Sequence, residues 1–229
     1  MEVLDLRRKH ALHSSWQFSV ALRGWDDRKL LPPFAFAEDA WAQFDSFAKP
    51  SALPAGTTIY LFRADLVPTW ESLPGGGEWS SRGDGEMEAS AIIDTAWEAL
   101  VMGVVGEMMG DPSDICGCEL GVKRGCTFKL ALWTRRASME AVQRAIATQM
   151  DALLPIQWGA EWSYSSFATK RKDAVARGGV KSGRSKSSSK QQHGHVLGSS
   201  VPGATSAVNA GPITPCPPLY THQRSTGIL

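Results

Sequence analysis

The composition of this 229-residue chain changes abruptly near residue 170, which limits where a folded domain can lie. From Arg171 onward, eight basic residues face one acid, and Tyr220 is the only aromatic residue. Such a segment cannot bury enough apolar surface to offset the conformational entropy lost on folding. The first 170 residues hold all nine tryptophans and carry a net charge of about −6, which the overall charge of +1 conceals. We therefore predict a folded domain over 1–170 and a basic, disordered tail over 171–229.

Several classes of protein are disfavoured by what the sequence does not contain. It has no run of eighteen apolar residues and no apolar segment near its N-terminus, so we expect a cytoplasmic protein without a membrane span. No nucleophile elbow, phosphate loop or HExxH motif is present, and neither His10 nor His13 is placed near a nucleophile by any pattern. We expect a protein that is not an enzyme and needs no cofactor.

The four cysteines, at 116, 118, 126 and 216, do not form paired CxxC motifs. We interpret them as reduced thiols on strands. A metal site built from Cys116, Cys118 and Cys126 is the alternative, and it lacks a fourth ligand.

Short segments rich in aromatic and β-branched residues indicate at least six strands. Two of them flank Gly125 and have the length of a hairpin. The predicted strands are 16–23, 58–63, 77–83, 118–125, 128–135 and 156–162.

Three amphipathic segments between these strands predict helices over 38–48, 90–109 and 138–154. The first helix would bury Ala40, Phe44 and Phe47, with Trp41 on its flank. The second would bury a stripe from Ile93 to Met108, leaving Glu98 and Met102 to the side, and the third would start at an N-cap, Ser138. Helices interspersed among such strands predict an α+β sheet with helices on one face.

Trp70 and Glu71 stand side by side in "VPTWES", just after the strand-like "TIYLFR". A tryptophan that packs on the core beside a solvated carboxylate explains an isolated pair of this kind. Nine tryptophans would, however, require partners for nine buried indole N–H groups, which favours keeping some of them for stacking. Spacing alone does not unite this pair with any distant residue.

An ordered series of motifs over about 10–170 resembles the translation initiation factor 4E family, which binds the 5′ cap of messenger RNA. The motifs are "HALHSSW", Trp25, "EDAWAQF", "YLFRADLVPTWES", "GGGEW", "DTAWEALVMGVVGE", "CGCELGVKRGCTFKLALWT" and "SSFATK". The resemblance implies a curved antiparallel sheet with about three helices on its convex face and a cap slot on its concave side.

In this family two tryptophans hold 7-methylguanine between their faces, and the matching positions are Trp25 and Trp70. The resemblance makes Glu71 the acceptor of hydrogen bonds from the guanine edge, and Trp79 the residue that contacts the added methyl group.

The resemblance also implies basic residues for the cap phosphates. Lys129 and Lys170 match such positions, and an extra residue in the hairpin leaves Lys123 and Arg124 as alternatives for a third. A basic residue usually precedes the matching tryptophan, whereas this chain has Glu78, so one phosphate contact is expected to be missing.

A second family surface lies on the helical side and binds a partner helix that carries Tyr, four residues, Leu and an apolar residue. Trp41 matches its anchor, with His10, Ala37 and Met102 around it, and Glu98 stands where an apolar residue is usual. Residue 99 is alanine where the family usually has glutamate.

The resemblance therefore implies a non-catalytic factor for capped messenger RNA. Its expected partner is an initiation factor 4G-type scaffold or a 4E-binding protein, which it joins as a monomer in a heteromeric complex. The alternative is a protein-interaction module or translational repressor with little affinity for the cap.

Overall fold

The computed structural model describes residues 9–83, 87–124, 127–154 and 161–172, which form an α+β fold. Its strands are β1 Ala11–Ala21, β2 Lys29–Leu30, β3 Phe34–Phe36, β4 Thr58–Arg63, β5 Gly77–Gly83, β6 Ile115–Val122, β7 Phe128–Thr134 and β8 Ser163–Ser166. Its helices are α1 Ala37–Phe44, α2 Met87–Val105 and α3 Glu140–Leu153, and a further helical segment covers 167–172.

The eight strands form one curved, open antiparallel sheet in the order β2-β1-β4-β6-β7-β5-β8, and β3 also pairs with β1. The predicted hairpin is confirmed by the antiparallel pairing of β6 with β7, while Gly125 lies outside the described residues. Strands β4 and β5 have the predicted bounds, whereas β1 and β6 begin earlier, at Ala11 and Ile115.

The register of the sheet separates its two faces, because successive side chains of a strand point to opposite sides. Leu61, Cys118, Leu132 and Trp79 follow one another across four strands on one face. The main core lies on this face, where buried residues of α2 and α3 such as Trp97, Leu100 and Ile146 pack against the sheet. Burying one large apolar side chain of this kind contributes about 1.5–3 kcal/mol. The opposite face is therefore left free to form a cleft.

The predicted helices exist, but their ends differ from the predicted ones. Helix α1 ends at Phe44, so Phe47 packs on the core from beyond its end. Helix α2 ends at Val105 because Glu107 adopts a positive φ of 51°, and the stripe predicted to reach Met108 fails there. Met108 is 58% exposed, and its neighbour Met109 is buried instead.

The start of α3 also differs from the predicted one. This helix begins at Glu140 with Met139 as its N-cap, so the prediction of Ser138 as the cap is wrong. Of the strand predicted over 156–162, residues 156–160 lie outside the described residues, and 161–162 precede the observed β8. Within the described ranges, no helix is long and apolar enough to cross a membrane.

Cys116 and Cys118 lie on β6, as predicted, but on opposite faces of the sheet. A register irregularity between Ile115 and Gly117 places Cys116 in the cluster on the cleft side and Cys118 in the main core. Burial raises the pKa of Cys116 to about 11 and that of Cys118 well above its usual value. The described segments contain no group of three metal-ligating side chains, and Cys126 lies outside them. These two thiols cannot bind one ion together.

Candidate functional site

A cleft of about 390 Å³ lies on the face of the sheet that α2 and α3 leave free. It brings together residues far apart in the sequence: Trp25 after β1, the loop after β4, Lys129 on β7 and Lys170 after β8. Its lining consists of Trp25, Tyr60, Pro68, Thr69, Trp70, Glu71, Glu78, Glu119, Lys129, Trp133 and Lys170. Most of the residues predicted for the cap slot thus share one cavity.

Two indoles of the cleft stand partly in solvent, Trp25 at 40% and Trp70 at 37% exposure. A protein cation lies near each ring, Arg28 at 4.3 Å from the centroid of Trp25 and Lys170 at 6.0 Å from that of Trp70. The edge of Tyr60 meets Trp25 with the ring centroids 5.7 Å apart. These contacts show that the rings attract cations, and their remaining exposure leaves aromatic surface for a cationic ligand.

Local hydrogen bonds hold the two loops that carry these indoles. The Asp27 carboxylate accepts from the backbone N–H groups of Leu22 and Arg23, which fastens the turn that contains Trp25. In the other loop, the Ser72 hydroxyl donates to carbonyl oxygens of that loop, and Arg171 donates to the carbonyls of Trp70 and Pro74. Each indole thus stands on a braced turn.

Glu71 is exposed at the rim of the cleft, next to Trp70. Across the described parts of the chain, its carboxylate has neither a hydrogen-bond nor an ion-pair partner. Both oxygens remain available to donors of a ligand.

Four charged side chains form an inner charge cluster in the cleft: Glu78, Glu119, Lys129 and Lys170. The Nζ of Lys129 lies 3.2 Å from Oε1 of Glu119 and 3.3 Å from Oε1 of Glu78, and Nζ of Lys170 lies 2.5 Å from the same Glu78 oxygen. Burial disfavours the Lys129 ammonium, but attraction to Glu119 and Glu78 outweighs it, and the pKa of Lys129 is raised. Burial and the nearby Glu119 charge raise the pKa of Tyr60 to about 12.

Lys123 and Arg124, the remaining predicted phosphate residues, are exposed beyond the end of β6 and do not line the cleft. Alternation along β6 places Glu119 and Gly121 on the cleft face. Nζ of Lys123 lies 3.7 Å from the position that a Cβ atom at Gly121 would occupy, so this ammonium is on the cleft side of the sheet. Arg82 is an exposed cation that sequence reasoning missed. It pairs with Lys129 in the β5–β7 register, so it shares the cleft face.

The role predicted for Trp79 is not supported by its position. Trp79 faces the helices, where its indole N–H donates to Oε1 of Gln143 at 3.2 Å, because its neighbour Glu78 faces the cleft. The tryptophan at the inner wall of the cleft is Trp133, which pairs with Glu78 in the register and is 3% exposed. It was missed, although it lies four residues along the strand from Lys129 and therefore on the same face.

Two hollows lie on the helical side, separated by Trp41 and Phe44, and we name them the dorsal hollows. The smaller, of about 210 Å³, is almost entirely apolar and includes Ala37 and Met102. The larger, of about 470 Å³, includes Glu98 with two further carboxylates, Asp45 and Asp94. Trp41 is 37% exposed and Met102 43%.

His10 lines neither dorsal hollow. Its backbone N–H donates to the Glu38 carboxylate, and its Nδ1 lies 2.6 Å from Oε1 of Glu38. Its carbonyl accepts from the N–H of Ala37, at 2.9 Å. His10 is thus tied to the start of α1, beside the hollows.

Comparisons with known proteins point to one family. Residues 12–179 match the family described as eukaryotic initiation factor 4E. The chain is 32% identical over 187 residues to the translation initiation factor isoform 4E-2 of Zea mays, covering 76% of this chain and 82% of that protein. It is 29% identical over 190 residues to isoform 4E of Nicotiana tabacum, covering 75% and 86%.

Solved structures agree with this match. The fold is similar to that of Ascaris suum eIF4E-3 in a complex with the m2,2,7G cap, with a TM-score of 0.64, 27% identity and coverage of 69% of this chain and 92% of that one. It is also similar to C. elegans eIF4E-3 in a complex with the 4E-binding protein Mextli, with a TM-score of 0.65, 26% identity and coverage of 72% and 97%.

Proposed function

Because this chain belongs to the eukaryotic initiation factor 4E family, we propose that its cleft binds the 7-methylguanosine cap of messenger RNA between Trp25 and Trp70. Members of this family are cap-binding factors, not enzymes. The observation that carries the proposal is the meeting of two exposed indoles and the exposed carboxylate of Glu71 in a single cleft.

The chemistry of these three side chains suits a methylated guanine. Stacking on an aromatic ring contributes ~1–3 kcal/mol per base, and the positive charge from N7 methylation adds a cation–π attraction of ~0.5–2 kcal/mol. Glu71 accepts hydrogen bonds from the guanine N1–H and amino group, and opposite charges strengthen them. A plain guanine keeps the stacking but loses the charge. Trp133, rather than Trp79, closes the inner end of the cleft beside the base.

The comparisons support a ligand of this class. The similar Ascaris suum protein has been solved with both the m2,2,7G and the m7G cap. We keep the division into a cap-binding domain over 1–170 and a basic tail over 171–229 as a proposal, with one adjustment: the helical segment over 167–172 includes Arg171, which donates to the Trp70 loop, so the folded part extends at least to residue 172. Residues 173–229 lie outside the described ones.

We further propose that the dorsal hollows bind a partner helix. Similar proteins have been solved with 4E-binding proteins, Mextli and 4E-BP among them. Trp41 stands between the two hollows and would contact the tyrosine and leucine side of such a helix. The larger hollow has an acidic rim, since three carboxylates, Asp45, Asp94 and Glu98, outnumber the single cation of its lining, Lys49. This rim favours a helix with a cationic residue on its other side. A partner-binding module with little cap affinity is the second candidate, since these hollows exist independently of the cleft.

Retention on an immobilised 7-methylguanosine-triphosphate resin tests the primary function. The parent protein is expected to be retained and to be released by free 7-methyl-GTP but not by GTP. Trp70→Ala removes one stacking platform and should cost ~2–4 kcal/mol of binding free energy, measured by quenching of tryptophan fluorescence. Tight binding by Trp70→Ala would contradict the two-ring site, and absence of retention of the parent would favour the second candidate.

A further inference from the structure

The side chain at position 78 faces the cleft from β5, the strand next to the sheet edge, and is almost entirely buried. Glu78 is 2% exposed, and its register partner on β7 is Trp133. Its carboxylate contacts both Lys129 and Lys170, which also line the cleft. Compared with the basic residue usual in the family, Glu78 therefore has two effects. It removes one cation from the cleft, and it pairs with the two lysines that remain.

Both lysines are constrained by these contacts to different degrees. Lys129 has 13% of its side chain exposed and lies between Glu78 and Glu119. Lys170 has 25% exposed and, among the described carboxylates, pairs with that of Glu78. A phosphate that drew either ammonium away would leave a carboxylate buried with fewer counter-charges, which is costly. A new lysine–phosphate contact is therefore largely offset by the lysine–glutamate contact it weakens.

The balance of charge in the lining points the same way. Three carboxylates, Glu71, Glu78 and Glu119, face two ammonium groups among the side chains that line the cleft. The excess of one negative charge attracts a cationic base and repels an additional phosphate. Lys123, Arg124 and Arg82 are exposed and lie outside the lining, where water and salt screen them. Arg28 also lies outside the lining, and its guanidinium is over the Trp25 ring, 4.3 Å from the ring centroid.

We infer that Glu78 is a specificity-determining residue, and that the cleft selects its ligand by the positive charge of the base rather than by the number of phosphates. This inference rests on the proposed cap-binding function and narrows its ligand class. 7-Methylguanosine 5′-monophosphate becomes nearly as good a ligand as the triphosphate, while unmethylated guanosine nucleotides remain poor ones.

The test compares 7-methyl-GMP with 7-methyl-GTP by fluorescence titration at one ionic strength, with GMP and GTP as reference ligands. For the parent, the two methylated nucleotides should agree within about threefold, because the lysines are already neutralised. Glu78→Gln keeps the size of the side chain and frees Lys170, so the preference for the triphosphate should rise by about tenfold or more, as expected for one charge-assisted contact. Glu78→Arg should raise it further.

Glu140→Gln is the matched control, since it removes the same charge from an exposed position at the start of α3, on the other side of the sheet, and should leave the preference unchanged. Thermal unfolding of each variant checks that the fold is intact, and Glu78→Gln decides the outcome if Glu78→Arg does not fold. A parent that prefers the triphosphate by more than tenfold, or a Glu78→Gln variant with the parental preference, would overturn the inference while leaving cap binding in place. Failure of every methylated nucleotide to bind would overturn the proposed function and this inference with it.

Discussion

Two glutamates of the cleft differ in whether their carboxylates are available to a ligand, because their surroundings differ. Glu71 is exposed and has no partner in the described segments, whereas Glu78 is buried and contacts two lysines. A carboxylate without partners accepts hydrogen bonds from a ligand at little cost, because it surrenders only water. One that is already paired must first give up its partners. The same residue type is therefore open to a ligand at one position and balances protein charge at the other.

At this scale, Glu71→Gln is expected to weaken discrimination as well as affinity. The amide keeps one oxygen acceptor but turns an N–H₂ group towards the donors of guanine, and it removes the charge that favours a cationic base. Titration of 7-methyl-GTP and GTP against parent and variant measures both effects. The methylated nucleotide should lose more affinity, and an unchanged ratio of the two affinities would argue against Glu71 as the base reader.

Residues of α1 and α2 that lie at the edge of the core line the dorsal hollows. Ala40 of α1 and Val101 of α2 are buried, while Trp41 and Met102, one position further along each helix, stay exposed. A step of one residue turns a helix by about 100°, so each neighbour lies on the flank. Exposed apolar side chains gathered in this way commonly mark an interaction surface.

The prediction for these two helices concerns their independence from the cleft. Trp41→Ala should weaken capture of a helix that carries Tyr, four residues and Leu by more than ~1–2 kcal/mol, because one aromatic anchor is removed. Cap affinity should stay near the parental value, since the cleft lies on the opposite face of the sheet. A pull-down on cap resin reports both quantities, and Trp70→Ala should show the reverse pattern.

A substitution at Glu98 on the same surface is expected to strengthen partner binding rather than weaken it. Glu98→Leu should strengthen capture of an all-apolar helix and weaken capture of one with a lysine facing the acidic rim. Equal effects on the two peptides would contradict the charge preference assigned to the larger hollow.

Acidic and basic residues are distributed unevenly along the chain: residues 1–170 are acidic overall and 171–229 are basic. A basic segment attracts a nucleic-acid backbone without reading its sequence, and the attraction falls as salt increases. The described helical segment ends at Lys172, two residues after Lys170, which lines the cleft. We therefore expect the basic tail that follows to contact RNA beyond the cap.

Removal of residues 175–229 should change affinity for a short cap analogue little, because none of the cleft residues is deleted. For a capped oligonucleotide of about twenty nucleotides, binding should weaken and its salt dependence should flatten, by about 0.7 in the log–log slope for each phosphate that the tail no longer neutralises. Titrations at several salt concentrations measure this. Equal weakening for the short and the long ligand would mean that the tail contributes to the cleft itself and that the boundary near 170 is misplaced.

The parts of this protein that depend on local chemistry could be predicted from the sequence. Short segments containing aromatic or branched residues located β4 and β5 at their observed bounds, and the ordered motifs were enough to indicate the family. Helix ends were less predictable, because the turn at Glu107 and the cap at Met139 depend on backbone conformations that hydrophobic spacing does not describe.

Which side chains share the cleft depends on how the strands and helices pack together. Trp79 and Trp133 are both tryptophans on strands, and the packing of α3 against one face sends the first to Gln143 and leaves the second in the cleft. The pairing of Glu78 with Lys170 joins residues 92 positions apart. Strand order and register bring such residues together, and these arise from contacts distant in sequence, which local patterns of hydrophobicity and charge do not specify.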